Sequence, residues 1–308
     1  MTKISIVTTM YYSSAFIEEF YNLCIEAINK LEFSYEFIFV NDGSPDDSLI
    51  IVKNLLENDK NIKVVDLSRN FGHHRAIMVG LEYATGSQIF LIDCDLEESP
   101  LELVNFYSEL EKTNSDVVFG VQNNRKGSFV KKLGGAFFWK FFNFVSDTNV
   151  DPRVITSRLM TRRYVDALLK FKEKKIFLAG IFALTGFIQV PLLVEKSTRK
   201  ETTYTIKKRM ALLVNAVTSF SSRPLVFVFY VGLIISIISG LIAVLLIIKK
   251  LFIVEYQLGW PSIVVSIWLI GGITIFCIGL IGIYLAKVFQ EVKDRPLSIV
   301  KNIYQKKS

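Results

Sequence analysis

The sequence predicts an α/β domain built on a mainly parallel sheet, followed by an interfacial helix and two transmembrane helices. Three observations point there. Short apolar runs alternate with helical spacings through the first 120 residues, polar clusters sit directly after those runs, and two long stretches near the carboxyl end carry no charge.

The apolar runs are residues 4–7, 37–40, 63–66, 89–92 and 117–120. Each has the length and branched or aromatic content of a strand. Between the first two, Phe16, Phe20, Leu23, Ala27 and Leu31 recur at the spacing of one helix face. Strands alternating with helices imply a parallel sheet covered on both faces, and such sheets bind ligands beyond the carboxyl ends of their strands.

Residues 224–248 form 25 positions without a charge, bracketed by Arg223 and by Lys249 with Lys250, and residues 256–286 form 31 more between Glu255 and Lys287. About 20 apolar residues cross a bilayer core, so both suffice. Gly232, Ser236 and Gly240 in the first, and Gly272, Gly279 and Gly282 in the second, would let the two helices approach closely. Residues 1–10 lack a signal-peptide pattern. Residues 196–209 carry six Lys or Arg against Glu201, and residues from 287 onward carry six against Glu291 and Asp294. The positive-inside rule therefore places both flanks in the cytoplasm, with Lys249 and Lys250 in the connecting turn pulling the other way. The expected arrangement is a cytoplasmic catalytic domain over 1–203, an amphipathic interfacial helix over 204–223, a transmembrane hairpin over 224–286 and a basic cytoplasmic tail over 287–308. The expectation is a multi-pass protein of the inner (cytoplasmic) membrane with its soluble domain in the cytoplasm. Ile206, Met210, Leu213, Val214, Val217 and Phe220 share one helical face beside Lys207, Lys208 and Arg209, which suits the headgroup region.

Composition excludes several classes. Three cysteines, Cys24, Cys94 and Cys277, lie far apart, so neither a disulfide framework nor a thiolate zinc site is expected. The only histidines, His73 and His74, cannot build a multi-histidine metal centre, so a metal here would be a hard cation on carboxylates. The net charge of +7 suits an anionic partner. Its basic runs adjoin the membrane segments and lack a recognition motif, which disfavours nucleic acid.

Two polar clusters follow strand runs. Asn41 to Asp47 is good turn chemistry, with Asp46 placed to cap the next helix. Asp93, Cys94, Asp95, Leu96, Glu97 and Glu98 follow residues 89–92. Two carboxylates two residues apart at a strand end can serve one ligand region if the chain turns, and their hard oxygens suit Mg²⁺ or Mn²⁺ bridging a diphosphate.

The ordered set of ValAsnAspGlySerProAsp (40–46), SerArgAsnPheGly (68–72), AspCysAspLeuGlu (93–97), ArgLeuMetThrArgArg (158–163), SerPheSer followed by Pro (219–224) and GluValLysAspArgPro (291–296) resembles family 2 GT-A glycosyltransferases. The likeness is to their polyprenyl-phosphate branch, the bactoprenol glucosyltransferases and dolichyl-phosphate mannose synthases, and it covers essentially the whole chain. It implies a Rossmann-like GT-A domain and an inverting transfer of sugar from a nucleotide diphosphate, UDP foremost, to polyprenyl monophosphate. Asp42 maps to the contact with the base, Asp93 to the ribose and diphosphate, and Asp95 to the metal, making Asp93 and Asp95 the catalytic pair. Glu97 stands where relatives often have a glutamine metal contact. Tyr11 joins Asp42 and Asp93 as a nucleotide-binding candidate, although the chain reads Thr9, Met10, Tyr11, Tyr12, Ser13 where the family has ProXTyrAsnGlu. Arg125, Lys131 and Lys132, with Arg199, Lys200, Tyr204, Lys207 and Lys208, fall in the regions that bind phosphate and lipid. The tail suggests a homo-oligomer.

Relatives of the bactoprenol branch carry an acidic residue where this chain has Thr156. A phosphate monoester, with a second pKa of about 6, is already largely ionised and brings its own nucleophile. Asp151 is a reserve base, and the aromatic run 137–144 reads first as core packing. Two alternatives use the same residues differently: elongation of a lipid-linked sugar, which needs a base for a hydroxyl acceptor, and a catalytically inactive membrane scaffold.

Overall fold

The computed structural model of the chain describes residues 3–122, 153–173, 178–195 and 260–306, with isolated helical positions between 225 and 241. Eight strands form one sheet: β1 Lys3–Met10, β2 Ser34–Asn41, β3 Ile62–Leu67, β4 Gln88–Leu91, β5 Val117–Val121, β6 Val154–Thr161, β7 Gln189–Leu193 and β8 Val300–Gln305, in the order β7-β5-β6-β4-β1-β2-β3-β8. Strands β3, β2, β1 and β4 run parallel, β6 is antiparallel to β4 and β5, and β5 and β7 are parallel. All five apolar runs lie in strands or within one residue of them, and the mainly parallel α/β domain is as expected.

Helices α1 Ile17–Leu31, α2 Ser48–Asn58, α3 His73–Tyr83 and α4 Leu103–Thr113 fill the connections. One face of the sheet packs Ile4, Ile6, Phe37, Phe39, Val64 and Phe90 against Phe20, Cys24, Val52 and Phe106 from α1, α2 and α4. The buried face of α1 centres on Phe20, Cys24, Ala27 and Ile28, a slight rotation from the expected stripe. On the opposite face α3 lies close to β1 and β2 because Gly80 has no side chain: a Cβ there would stand 2.5 Å from Val7 Cγ1 and 3.0 Å from Val40 Cγ2. Shorter helices α5 Arg162–Leu168 and α6 Leu178–Leu184 follow β6, and Pro191, which has no N–H to give, sits in edge strand β7.

The order turns over at β1. The chain lays β2 and β3 on one side of it and β4 on the other, so the connections leave the carboxyl ends of β1 and β4 in opposite directions and open a crevice there. The residues that follow these strands are Tyr11 and Asp93 with its neighbours.

Two expected boundaries shift. Helix α7 Trp260–Val292 runs past residue 286, and six residues of the expected basic tail, Val300–Gln305, form strand β8, paired antiparallel with β3. An open β3 edge would leave a row of unpaired backbone groups, and β8 covers it, with the Ile299 carbonyl also accepting the Ser68 N–H at 2.9 Å. Lys53 Nζ lies 3.7 Å from the Tyr304 ring centroid, fastening β8 to α2. In α7, residues 270–292 are long and apolar enough to cross a membrane, with mean hydropathy 2.1. Of the expected first span only scattered helical positions are described, and the interfacial helix 204–223 and the aromatic run 137–144 lie outside the described residues.

At the amino end of the sheet, buried Glu36 accepts from Ser5 Oγ at 2.6 Å, Lys3 Nζ at 2.9 Å and both the N–H and hydroxyl of Thr85, joining β1, β2 and the approach to β4. Burial alone would raise its carboxyl, but these donors outweigh it and hold the group down at about 2. The folded carboxyl titrates below its ordinary value of 4.5. Its stabilisation, on the order of 3 kcal/mol, is therefore complete above about pH 5 and lost as pH falls toward 2. Glu36→Gln is expected to lower the denaturation midpoint at pH 7 and to flatten its dependence between about pH 5 and 2. Urea melts of the detergent-solubilised chain across that range measure both.

Candidate active site

Each wall of the crevice is set by a carboxylate that is tied down by neutral donors. Asp42, just past β2 and buried, accepts the backbone N–H of Phe71 at 2.7 Å and of Gly72 at 3.0 Å. It thereby holds the SerArgAsnPheGly loop against β2. Gly43 permits the fit: its φ is +63°, and a Cβ there would lie 2.5 Å from the Arg69 carbonyl carbon and the Asn70 nitrogen. Burial raises the Asp42 carboxyl above the ordinary aspartate value, and the two N–H groups with nearby His73 and Arg69 offset part of that. The Arg69 guanidinium stacks 4.2 Å from the Phe71 ring centroid.

The N-cap of α2 is Asp47, not Asp46 as expected, and its side chain makes no capping bond; Asp46, one residue earlier, instead gathers the surrounding donors. Its carboxylate accepts the Ser48 N–H at 3.2 Å, the Ser48 hydroxyl at 2.6 Å, the Ser44 hydroxyl at 2.5 Å and the Ser14 N–H at 3.0 Å. Burial opposes ionisation, but the hydroxyls and N–H groups outweigh it and keep the carboxyl well below the usual range. This knot joins the turn after β1 to the turn after β2. Tyr11 and Tyr12 follow β1 there, with rings edge to face at 4.8 Å and both exposed. Tyr12 is left-handed at φ +56°, and its N–H donates to Ser44 Oγ at 2.8 Å.

After β4 the chain reverses through the AspXAsp pair. Cys94 points inward and its Sγ reaches the Thr9 carbonyl at 3.2 Å, while burial pushes its thiol up to about 12, so it packs and does not react. With Cys94 facing in, Asp93 and Asp95 flank it, half-buried. Asp95 accepts the Glu97 N–H at 3.0 Å across Leu96, whose φ of +57° is rare for a branched side chain and marks a tight reversal. Glu97 lines a small cleft with Glu19 and Glu195 beside α1. Glu98 is buried and accepts the Ser157 N–H at 3.2 Å, tying this loop to β6. Next to it the buried Arg158 guanidinium lies 3.4 Å from the Phe182 ring and donates to the Thr156 and Ile155 carbonyls. Burial lowers it to about 10, against the attraction of Tyr164 and Glu98, and it remains a cation at neutral pH.

His73 was missed as a site residue. Its Nδ1 is 3.0 Å from Thr9 Oγ1 and its Nε2 is 3.5 Å from Asp93 Oδ1. Burial lowers its imidazole, with Asp42 and Asp95 pulling the other way. The signal was present in the sequence: the first helical residue after the SerArgAsnPheGly loop falls at the carboxyl ends of the strands.

The structure thus brings Tyr11, Asp42, Asp93 and Asp95 to the same end of the sheet. Among the described residues no three of His, Cys, Asp and Glu converge closely enough to hold a metal ion by themselves. The donors still fit a hard divalent cation, because such ions commonly take one or two carboxylates and complete their shell with substrate phosphates and water. Arg125, Lys131, Lys132, Arg199, Lys200, Tyr204, Lys207, Lys208 and Asp151 lie outside the described residues. Thr156 is on β6, half-buried.

The sequence pattern of Glycosyl transferase family 2 matches residues 5–169. A Mycobacterium tuberculosis protein named only as a glycosyltransferase is 47% identical over 98% of this chain and 88% of its own length. The uncharacterized glycosyltransferase YkcC of Bacillus subtilis is 36% identical over 97% and 94% of the two chains. The bactoprenol glucosyl transferase of Shigella phage SfV is 31% identical over 99% of this chain and 100% of its own. Among solved structures, the mannosyltransferase PcManGT from Pyrobaculum calidifontis in complex with GDP-Man and Mn²⁺ aligns over 71% of this chain and 63% of its own, at 15% identity and a TM-score of 0.49. With the family pattern spread over more than half of its length and close relatives matched nearly end to end, the chain belongs to glycosyl transferase family 2.

Proposed function

We propose that this glycosyltransferase moves a sugar, with inversion, from a nucleotide diphosphate donor to polyprenyl monophosphate at the cytoplasmic leaflet, in the assembly or modification of a cell-surface glycan. One observation supports this reading above the others. The likeness to the phage bactoprenol glucosyl transferase does not stop at residue 169 with the family pattern but continues through α7 and β8 over 99% of the chain. In this reading α7 is the second of two spans, residues 224–248 are the first, and the basic residues of 196–209 meet the lipid phosphate at headgroup depth.

The chemistry divides between the substrates. The acceptor phosphate arrives ionised, so proton abstraction is not part of the barrier, and Thr156 in place of an acid costs the enzyme nothing. What remains is alignment behind the anomeric carbon and stabilisation of the departing diphosphate. Asp95, with Glu97 two residues on, would hold Mg²⁺ or Mn²⁺, which when bound neutralises diphosphate charge. Asp93 would orient the ribose and diphosphate. Asp42, with the loop it anchors, and the exposed Tyr11 ring would bind the base, with UDP the favoured nucleotide. Arg125, Lys131 and Lys132 would add phosphate contacts.

Asp95→Ala is expected to abolish sugar transfer to undecaprenyl phosphate without shifting the thermal transition of the protein. Mass spectrometry of the lipid after incubation with a panel of nucleotide sugars reads the product, and full activity in this variant would end the metal assignment. Asp42→Asn presents an amide N–H₂ to one of the two N–H groups that the carboxylate now accepts. The loop should loosen and donor KM rise about 10-fold or more, the equivalent of roughly 1–3 kcal/mol. Steady-state kinetics at saturating lipid phosphate checks it, and an unchanged KM would detach Asp42 from donor binding.

A further inference from the structure

Thr9, His73 and Asp93 come from three different elements. Thr9 is near the carboxyl end of β1, His73 opens α3, and Asp93 follows β4, across the crevice where the strand order turns over. Helix α3 packs closely on the sheet at Gly80, and its first residue reaches both Thr9 and Asp93. We infer that His73 is a positioning residue for Asp93: its Nε2–H restrains the carboxylate, and its Nδ1 is fixed by the Thr9 hydroxyl. The inference rests on the proposed function, since it concerns how Asp93 is aimed at the donor.

The assignment of protons follows from the partners. An ionised carboxylate only accepts, so the nitrogen facing Asp93 must carry hydrogen. The nitrogen facing Thr9 can either accept from the hydroxyl or donate to it, because a hydroxyl does both. Nε2–H therefore faces Asp93 whether the ring is neutral or charged. The Nε2 to Oδ1 separation of 3.5 Å is an ion-pair distance rather than a tight hydrogen bond, which is about 2.9 Å. The imidazole thus narrows the arc through which Asp93 swings without locking it against a donor molecule. Thr9 fastens the same loop a second time, through its carbonyl and the Cys94 thiol. The side chain of Cys94, directly, and that of Asp93, through His73, are both referred to one residue of β1. Outer partners of this kind, when removed, typically cost about 10–100-fold in activity.

Two substitutions separate positioning from mere packing. The amide nitrogen of Gln overlays Nε2 of His, and that of Asn overlays Nδ1. His73→Gln keeps a donor toward Asp93 and is expected to turn over within about 3-fold of the parent. His73→Asn keeps only the Thr9 side and is expected to lower kcat about 10–100-fold at an unchanged melting temperature, with a smaller change in KM for undecaprenyl phosphate. Equal impairment of both variants, or none in His73→Asn, would overturn the inference. A second measurement does not need turnover. With only two histidines in the chain, a ¹⁵N-histidine-labelled His74→Gln protein shows the ring of His73 alone. A spectrum of the Nε2-protonated tautomer supports the arrangement, and an Nδ1-protonated neutral ring overturns it. If the parent protein makes no lipid-linked sugar with any donor, the proposed function fails, while the tautomer still decides the role of His73.

Discussion

Parallel pairing of β1 with both β2 and β4 is the constraint on which the rest depends. A strand flanked on both sides by parallel neighbours from opposite directions of the winding must leave a gap above its carboxyl end, because the two connections diverge. The residues proposed for the chemistry, as far as they are described, lie at that gap. Tyr11 and Tyr12 leave β1, Asp42 leaves β2, the loop 68–72 leaves β3, and Asp93 leaves β4. Moving any strand by one register would turn alternate side chains over and send these groups to different walls.

Crowding carboxylates at one end of a sheet is costly unless each is answered. Asp42, Asp46, Asp66 and Glu98 are answered by neutral donors: backbone N–H groups, serine hydroxyls and, for Asp66, the Asn41 amide at 2.7 Å. Neutral donors stabilise the charge without cancelling it, so the field at the crevice stays negative. That field suits a divalent cation and resists an unescorted diphosphate. The nitrogen bases that enter include His73, 3.5 Å from Asp93, and Arg158 beneath the loop, which feels Glu98. Arg158 in particular lies under an aromatic ring and serves the packing of β6 and α6 rather than a ligand.

Much of this was legible. The five apolar runs were legible as strands from their length and content, and the turn at Asn41 to Asp47 from its turn chemistry, although the cap of α2 fell to Asp47 rather than Asp46. Strand β6 was visible only as the motif ArgLeuMetThrArgArg, since Arg158 inside an apolar run hides the strand until Phe182 and Glu98 are seen to receive it. Strand β8 was not legible. Its residues Val300, Lys301, Asn302, Ile303, Tyr304 and Gln305 have too little alternation to announce a strand, and what makes them one is the open edge of β3, a partner more than 230 residues away in sequence. His73 is not legible from composition, which excludes a multi-histidine metal centre but leaves other roles of a single imidazole open. One imidazole between a hydroxyl and a carboxylate has no spacing to recognise.

The distribution of charge along the chain then makes chemical sense of an otherwise ordinary net charge. Acid gathers at the strand ends, while the basic runs cluster at 196–209 and at 287 onward, on either side of the long apolar stretches. A nucleotide diphosphate bound at the acid end would bring its own charge and need a cation between itself and the protein. A lipid phosphate held at the basic end would need none, and would keep the ionised oxygen that makes it a nucleophile. If both substrates used one kind of partner, one of them would be handicapped. Basic residues on the donor side would compete with the metal for the diphosphate, and a metal on the acceptor side would quench the attacking oxygen. Under the proposed transfer, separate partners for a leaving and an attacking phosphate would give a physical reason for placing carboxylates and lysines in different parts of the same sequence.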